Sequence, residues 1–268
     1  MKLQKMLVLV IPIFLLTASA MTTCAQTDKT AQLYKNMSRN ERLVFVGEQA
    51  RRIARDMSGT EYEFTPAFEE DILKAVTYYA ERVGVPEKAD LRLVLERGQT
   101  QAPLLIAAFR ARNVSPIYGL YIPWIESEYK NIQPSDSKSA IGMFQFLPAT
   151  GENLGLMPQE LLDVNRSADA AARYIAASLV TFKDDPMKEA LALLAYNRGT
   201  QQTLRDLQIL ANEQNKGCSI CALTADRSKR DETFTYENAL YVPRFFAAAI
   251  IGENPRTFGV QMQPLSSQ

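Results

Sequence analysis

The chain has 268 residues, of which 47% are hydrophobic and 22% are charged, a composition typical of a globular protein with a substantial core. Thirty lysines and arginines balance thirty aspartates and glutamates, so no basic excess favours binding to nucleic acid. The chain has no histidine, which excludes Ser-His-Asp and Cys-His catalytic pairs and histidine-ligated zinc. If the protein is an enzyme, carboxylates are the first candidates for proton transfer.

The N-terminus has the pattern of a secretory signal peptide. Lys2 and Lys5 precede an apolar run, and small residues follow it. We therefore predict a signal peptide over residues 1–20, with its end between residues 20 and 25. The prediction is an exported protein of the periplasm or cell envelope. Cys24 offers the alternative of lipid attachment, and membrane association is expected only in that case.

Helical signals recur over residues 27–115. A capping box at Ser38 precedes a helix over 43–57, and Thr65-Pro66 begins a second helix that ends at Gly84. Two shorter helices are predicted over 91–95 and 104–112, separated by a break from Gly98 to Pro103. This region carries no chemical motif. We interpret it as a packing extension of the domain that follows, with a partner-docking helical domain as the alternative.

Residues 116–259 carry further helical patterns and room for a small β ribbon near 138–146. The predicted fold class is therefore mainly α, and residues 260–268 are expected to form a flexible tail. Helices are predicted over 117–129, 167–182, 185–198, 200–212 and 237–251.

Cys218 and Cys221 form a C-x-x-C motif in a polar stretch. A zinc site would lack its other ligands, and a redox motif would be expected to follow a strand. The favoured interpretation is a small disulfide that closes a surface loop, and no metal site is predicted.

Glu126 lies in a nearly apolar helix, with Ile122 and Tyr129 on its own face. Desolvation of such a carboxyl group raises its pKa and keeps it protonated near neutral pH, as a general acid requires. Glu128 lies about 200° further around the helix, so the two glutamates cannot share one site. The alternative is that the helix ends here and both glutamates face solvent.

Three later segments carry candidate polar groups. Gln145 lies in an apolar turn, the Tyr196-Asn197 pair ends a helix before a glycine, and Tyr241 follows Glu237. Each has a purely structural alternative. Gln145 could be a polar residue of a hairpin arm, Tyr196-Asn197 an ordinary helix C-terminus, and Tyr241 a core tyrosine.

Taken together and in order, these motifs resemble the lytic murein transglycosylases of the SLT type, glycoside hydrolase family 23. The resemblance covers roughly residues 116–259 and is strongest to the membrane-bound lytic transglycosylase D branch. It implies a lysozyme-like α+β catalytic domain after the N-terminal helical region. The motifs are Glu126-Ser127, Gly142-Met143-Phe144-Gln145-Phe146, Ala195-Tyr196-Asn197-Arg198-Gly199, and Tyr241-Val242-Pro243-Arg244 after Glu237.

The resemblance implies Glu126 as the single catalytic acid and base. It also implies a set of substrate-binding residues. One of them is a serine in the stretch after the glutamate, and Ser135 and Ser137 are the two candidates for it. Two positions depart from the family pattern: Phe144 stands where this branch often has tryptophan, and Arg198 replaces a small residue, which suggests an altered cleft or a contact with an acidic peptide stem. The implied substrate-binding residues are Ser127, Ser135 or Ser137, Met143, Gln145, Tyr196, Asn197 and Tyr241.

The expected activity is cleavage of the β-1,4 bond between N-acetylmuramic acid and N-acetylglucosamine, with formation of 1,6-anhydromuramoyl ends. The expected partners are peptidoglycan glycan strands, bound by a monomer without a cofactor and without affinity for nucleic acid. Two alternatives stay open: hydrolysis as in goose-type lysozyme, and a non-catalytic wall-binding protein.

Overall fold

The computed structural model describes residues 32–84, 90–212 and 217–268. The predicted signal peptide and Cys24 lie outside these residues. Helices account for most of the described chain, which confirms the predicted mainly α class. None of the helices in these three segments is both long enough and apolar enough to cross a membrane. The α-helices are α1 (Arg39–Ser58), α2 (Pro66–Ala80), α3 (Leu91–Arg110), α4 (Pro116–Ser127), α5 (Pro148–Asn153), α6 (Val164–Thr181), α7 (Lys188–Arg198), α8 (Thr200–Asn212), α9 (Ser219–Ala225) and α10 (Tyr241–Glu253).

The first two helices are capped by the residues that the sequence predicts, and α1 begins at Arg39, four residues before the predicted 43–57. Ser38 accepts a hydrogen bond from the backbone N–H of Glu41, and the Glu41 carboxylate accepts one from the backbone N–H of Ser38. The Thr65 side chain accepts from the backbone N–H of Phe68 at the start of α2. Both caps supply partners for N–H groups that a helix leaves open. The capping predictions are confirmed.

The predicted break between two helices at 98–103 is wrong, because α3 runs without interruption from Leu91 to Arg110. Gly98 is needed there for close packing: a Cβ atom at this position would lie 2.8 Å from the Tyr129 ring. Leu95, Ala102 and Leu105 are fully buried along the same helix. Burial of this apolar face outweighs the low helix propensity of Gly98 and Pro103.

Three other predicted helix starts are displaced. α6 begins at Val164 rather than at Ser167, because the Asp163 side chain caps the N–H groups of Asn165 and Arg166. α7 begins at Lys188, after a turn in which Asp185 accepts from the N–H of Met187. α10 begins at Tyr241, after a π-helical turn over Phe234–Asn238.

Helix α4 is the centre of the fold. Its sequence is apolar on nearly all sides, which favours a fully buried helix, and α1, α3, α6 and α10 pack around it. Two glycines permit close contacts with it. A Cβ atom on Gly119 would lie 2.4 Å from the Phe109 ring, and one on Gly252 would lie 2.4 Å from the Tyr121 ring.

The N-terminal helices pack directly on the C-terminal part of the chain. α1 and α2 both contact α10, and Gln32–Gln268 forms one compact unit. Whether this region is only a packing extension or also docks a partner stays a prediction.

The predicted β ribbon is reduced to two isolated antiparallel bridges, Ile132 with Gly142 and Ile141 with Phe146. Between the second pair the chain makes a tight turn. Gly142 has a φ of 78°, and a Cβ atom there would lie 2.3 Å from the carbonyl oxygen of Leu161. Only glycine fits both the conformation and the contact.

Cys218 and Cys221 are joined in a disulfide, with their Cα atoms 5.2 Å apart. The prediction of a surface loop around them is wrong. Residues Ser219–Ala225 form α9, in which Ile220, Cys221 and Leu223 are buried. The apolar residues within the polar stretch bury one face of this short helix, which packs on α2 and α8.

The prediction of a flexible tail over 260–268 is also wrong. Leu265 is fully buried, and Val260 is 6% exposed. The backbone N–H and the hydroxyl of Ser266 donate to the buried carboxylate of Glu253, at 3.2 and 2.5 Å. A core side chain and two hydrogen bonds to a buried charge thus order a segment whose polar composition suggested disorder.

We expect Leu265→Ala to lower the free energy of unfolding by roughly 2–4 kcal/mol, because it leaves a cavity at a fully buried position. Gln261→Ala, at an exposed position in the same segment, should change stability by less than about 0.5 kcal/mol. Urea denaturation of both variants checks this. Equal stabilities would mean that the tail does not pack as described.

Candidate active site

Glu126 lies at the C-terminal end of α4, where the chain changes direction abruptly. Glu128 and Tyr129 have φ values of 52° and 60°, the left-handed conformation that ends helices. The N–H of Tyr129 donates to the Pro123 carbonyl oxygen at 3.2 Å, and its hydroxyl donates to the Leu120 carbonyl oxygen at 2.6 Å. This buried tyrosine fixes the end of α4 and therefore the position of Glu126.

Among the described residues, the Glu126 carboxyl has one hydrogen-bond partner, the hydroxyl of Tyr241, which donates to Oε1 at 2.6 Å. Burial raises the pKa of Glu126 to about 7, and the hydrogen bond from Tyr241 opposes that rise. The carboxyl group is therefore poised to give up or take a proton near neutral pH. The sequence prediction of a desolvated carboxyl at this position agrees with the geometry.

Two tyrosines near Glu126 stay protonated. Burial raises the pKa of Tyr241 and of Tyr196 well above 10, and the nearby Glu126 carboxylate raises both further. Each hydroxyl therefore remains a hydrogen-bond donor. Tyr174 packs against the Tyr196 ring edge to face, with centroids 5.5 Å apart, which fixes the orientation of Tyr196.

Glu128 occupies a different environment. It forms ion pairs with Arg82, Arg97 and Lys130, the last two at 3.5 and 3.0 Å. Burial would raise the pKa of Glu128, but these cations outweigh it and hold the pKa below its ordinary value. Glu128 is thus a carboxylate at neutral pH, whereas Glu126 is partly protonated, as the predicted divergence of the two side chains requires.

Two residues expected to bind substrate also hold the ribbon in place. The buried Ser127 hydroxyl donates to the carbonyl oxygen of Met143 at 2.8 Å, and the Tyr196 hydroxyl donates to the carbonyl oxygen of Phe144 at 2.9 Å. Met143 is only 1% exposed, so it has almost no surface for a ligand. Ser127 and Tyr196 thus position the ribbon, and Met143 belongs to the core. That Ser127 and Tyr196 also bind substrate stays a prediction.

The other predicted contacts of the ribbon segment also differ from expectation. Gln145 has a φ of 52°, and its amide donates to the Gly142 carbonyl oxygen at 2.7 Å, so its N–H side closes its own turn. Ser135 and Ser137 are both exposed, and Ser135 is hydrogen-bonded to Ser139 at 2.8 Å. Within the described segment, no hydrogen bond joins any of these three side chains to Glu126.

Asn197 belongs to a hydrogen-bonded relay that the sequence did not reveal. Its Oδ1 accepts from Nδ2 of Asn238 at 2.7 Å. Oδ1 of Asn238 in turn accepts from Nη1 of Arg198 at 3.2 Å. Arg198 has a side chain only 5% exposed, and it is paired with Asp206 and Asp231. The suggestion that Arg198 meets an acidic peptide stem is therefore wrong, because its guanidinium is buried and forms ion pairs with two aspartates of the protein itself.

The relay fixes which face of Asn197 is free. An arginine can only donate, so the Asn238 atom facing Arg198 must be its oxygen. The Asn238 NH₂ group then faces Asn197 and must meet an oxygen. Asn197 is exposed, and its remaining polar group is its own NH₂. Arg198 thus sets Asn197 to offer a hydrogen-bond donor. Asn238 lies three residues before Tyr241, which could have marked it as a candidate site residue. No pattern in the sequence predicted its hydrogen bond to Asn197.

In the described segments, no three Cys, Asp or Glu side chains come together in a way that could hold a metal ion.

The ends of α4 and α7, the short ribbon and the start of α10 thus surround one carboxyl group of raised pKa. Residues 103–217 match the family model described as the transglycosylase SLT domain. This match indicates a transglycosylase-type enzyme that acts on glycosidic bonds, with peptidoglycan as substrate. The matched segment includes Glu126, the ribbon and the Tyr196-Asn197 pair, whereas Tyr241 lies beyond it. No match to a curated protein was found.

The raised pKa of Glu126 has a consequence for stability. The folded protein holds this proton more tightly than the unfolded chain, so this group stabilises the fold at low pH. The contribution is lost as pH rises from about 4.5 through about 7. Each pKa unit corresponds to 1.36 kcal/mol. Between pH 4 and pH 8, the free energy of unfolding of Glu126→Gln should therefore rise by up to about 3 kcal/mol relative to that of wild type.

Urea denaturation of both proteins at the two pH values measures this difference. The contributions of all other titrating groups are the same in both proteins and cancel in the comparison. Glutamine keeps an oxygen acceptor for Tyr241. Parallel pH dependence of the two proteins would mean that Glu126 has an ordinary pKa.

Proposed function

We propose that this protein is a peptidoglycan lytic transglycosylase that works at the cell envelope after export. Its reaction would cleave the β-1,4 bond between N-acetylmuramic acid and N-acetylglucosamine and leave 1,6-anhydromuramoyl ends. The observation that carries the proposal is a buried glutamate of raised pKa, hydrogen-bonded to the Tyr241 hydroxyl, in a segment that matches the SLT family.

In the first step, protonated Glu126 gives its proton to the glycosidic oxygen, and the bond from that oxygen to the muramoyl anomeric carbon breaks. The acetamido carbonyl oxygen of the same sugar stabilises the resulting positive charge, in place of a carboxylate nucleophile. A mechanism with a single carboxylate fits the site, because Glu128, the next acidic residue along the chain, is held in ion pairs with three cations.

In the second step, the Glu126 carboxylate takes the proton of the C6 hydroxyl of the same sugar, and the C6 oxygen bonds to the anomeric carbon. Glu126 is then protonated again, and no water is consumed. An attack within one bound sugar gains a large proximity advantage over attack by bulk water.

Two donors would assist the acetamido group and the glutamate. The free NH₂ group of Asn197 is suited to the acetamido carbonyl oxygen, whose charge grows during the reaction. The Tyr241 hydroxyl stabilises the carboxylate form of Glu126 after the first step. Both groups are held by partners inside the protein, so little reorganisation is needed during catalysis.

We expect digestion of purified sacculi by wild type to release muropeptides with anhydro ends, each lighter by one water than the reducing product. Glu126→Gln should lose at least about 10³-fold in rate, because glutamine cannot transfer a proton. Mass spectrometry of the products measures both. Glu96→Gln, at an exposed position on α3, is the matched control and should retain full activity.

The same digest separates the alternatives. Reducing ends would mean hydrolysis as in goose-type lysozyme, with water as the attacking group. Binding to sacculi without any release would mean a non-catalytic wall-binding protein. Full activity in Glu126→Gln would exclude Glu126 as the acid. The rate of wild type should fall as pH rises above about 7, since the first step needs the protonated carboxyl.

We expect Asn238→Asp to lower kcat/KM by about tenfold or more. An aspartate at this position still accepts from Arg198 but cannot donate to Asn197, so the Asn197 amide would rotate and offer oxygen instead of NH₂. Kinetics on glycan strands measures the loss.

A double-mutant cycle distinguishes this effect from a general disturbance of the fold. In an Asn197→Ala background, Asn238→Asp should have little further effect on kcat/KM. A loss of equal size in both backgrounds would contradict the relay from Arg198 to Asn197.

A further inference from the structure

A cavity of about 500 Å³ lies between α2, the end of α4 and the start of α10. We propose that this cavity binds the carboxylate-bearing peptide stem that branches from the glycan strand. The inference rests on the proposed function, since it assigns a second part of the same substrate to a second site.

The cavity adjoins the candidate active site along two chain segments. Ile125 and Leu240 line it, and each is next in sequence to one member of the Glu126–Tyr241 pair. The stem peptide is attached to the muramoyl sugar whose glycosidic bond is cleaved. A strand bound with that bond at Glu126 would direct its stem around the end of α4, to the face that carries Glu128 rather than Glu126. Its volume is within the range of sites for small ligands.

The walls suit a short peptide rather than a sugar alone. Most of the lining is apolar or aromatic, and Tyr78 is 65% exposed at the rim. The Trp124 ring is 1% exposed, and its N–H has no acceptor in the described part of the chain. Because that N–H is itself buried, it is an unpaired donor behind the wall of the cavity rather than at its surface.

The charges around the cavity favour an anion. Its two acidic residues are already paired: Asp71 with Lys74 and Arg227, at 3.2 and 3.1 Å, and Glu128 with the three cations named above. Cations therefore outnumber carboxylates at this surface.

Among the described residues that line the cavity, Arg244 is the cation without an ion pair. It is exposed, lines the cavity and forms no ion pair with any described acidic residue. An arginine can bind a carboxylate through two parallel N–H donors. Arg244 lies one turn after Tyr241 on α10, so a stem carboxylate bound there would remain close to the reacting sugar.

The matched family segment, 103–217, ends before α10 and begins after α2. Two of the three walls of the cavity are therefore supplied by parts of the chain outside that segment. Recognition of the stem would be a property added to the cleavage site by the N-terminal helices and α10.

Direct binding tests the proposal without turnover. Trp124 is the only tryptophan of the chain and lies in the cavity wall, so its fluorescence reports on this site. The probe is the mixture of peptide stems released from sacculi by an amidase. We expect a saturable change in emission with wild type and with Glu126→Gln, and a Kd at least about tenfold weaker with Arg244→Ala.

Arg110→Ala is the matched control, because Arg110 is exposed at the end of α3 and does not line the cavity. It should bind the stems as wild type does. Arg244→Lys keeps the charge but loses the paired donors, and we expect intermediate affinity. Absence of a fluorescence change with wild type, or equal Kd values for wild type and Arg244→Ala, would overturn the proposal.

Turnover gives a second readout. On strands that carry stems, Arg244→Ala should raise KM about tenfold with kcat retained, and on strands stripped by the amidase it should match wild type. Equal KM changes on both substrates would overturn the proposal. If wild type cleaves neither substrate, the proposed function fails, and the stem titration still decides whether the cavity binds peptide.

Discussion

The site depends on one requirement: the Glu126 carboxyl must stay away from cations. Two residues further on, Glu128 gathers three of them, and any one beside Glu126 would lower its pKa toward that of an ordinary carboxylate. The left-handed conformation of Glu128 and Tyr129 ends α4 directly after Glu126 and sends the two side chains to different surroundings. Burial then dominates the pKa of Glu126, and the Tyr241 hydroxyl alone opposes it.

Most polar groups near Glu126 act on the protein itself. The hydroxyls of Ser127 and Tyr196 hold the ribbon through two carbonyl oxygens, and Gln145 closes its own turn. These bonds satisfy buried groups at a place where regular β pairing is nearly absent. Under the proposed function, the groups left to meet the substrate are the carboxyl of Glu126 and the NH₂ group of Asn197.

The sequence predicted what local pattern determines. The caps of α1 and α2, the apolar character of α4 and the desolvated Glu126 follow from short-range spacing. It failed where distant contacts decide. Gly98 and Pro103 look like a helix break until Tyr129 packs on the glycine, and the tail looks mobile until Leu265 and Ser266 meet buried partners. Arg198 looks like a ligand contact, because its partners Asp206 and Asp231 are paired with it only in the folded chain.

The segment that matches the SLT family is not sufficient for the electrostatics of the site. Tyr241 and Asn238, which hold Glu126 and Asn197, both follow residue 217. Tyr241 is positioned by α10, and α10 packs on α1 and α2, which precede the matched segment. The N-terminal helices thus support the helix that carries Tyr241, the one hydrogen-bond partner of the Glu126 carboxyl among the described residues. A change on α2 that shifts α10 would move the Tyr241 hydroxyl and with it the pKa of Glu126, without contact between α2 and the carboxyl group.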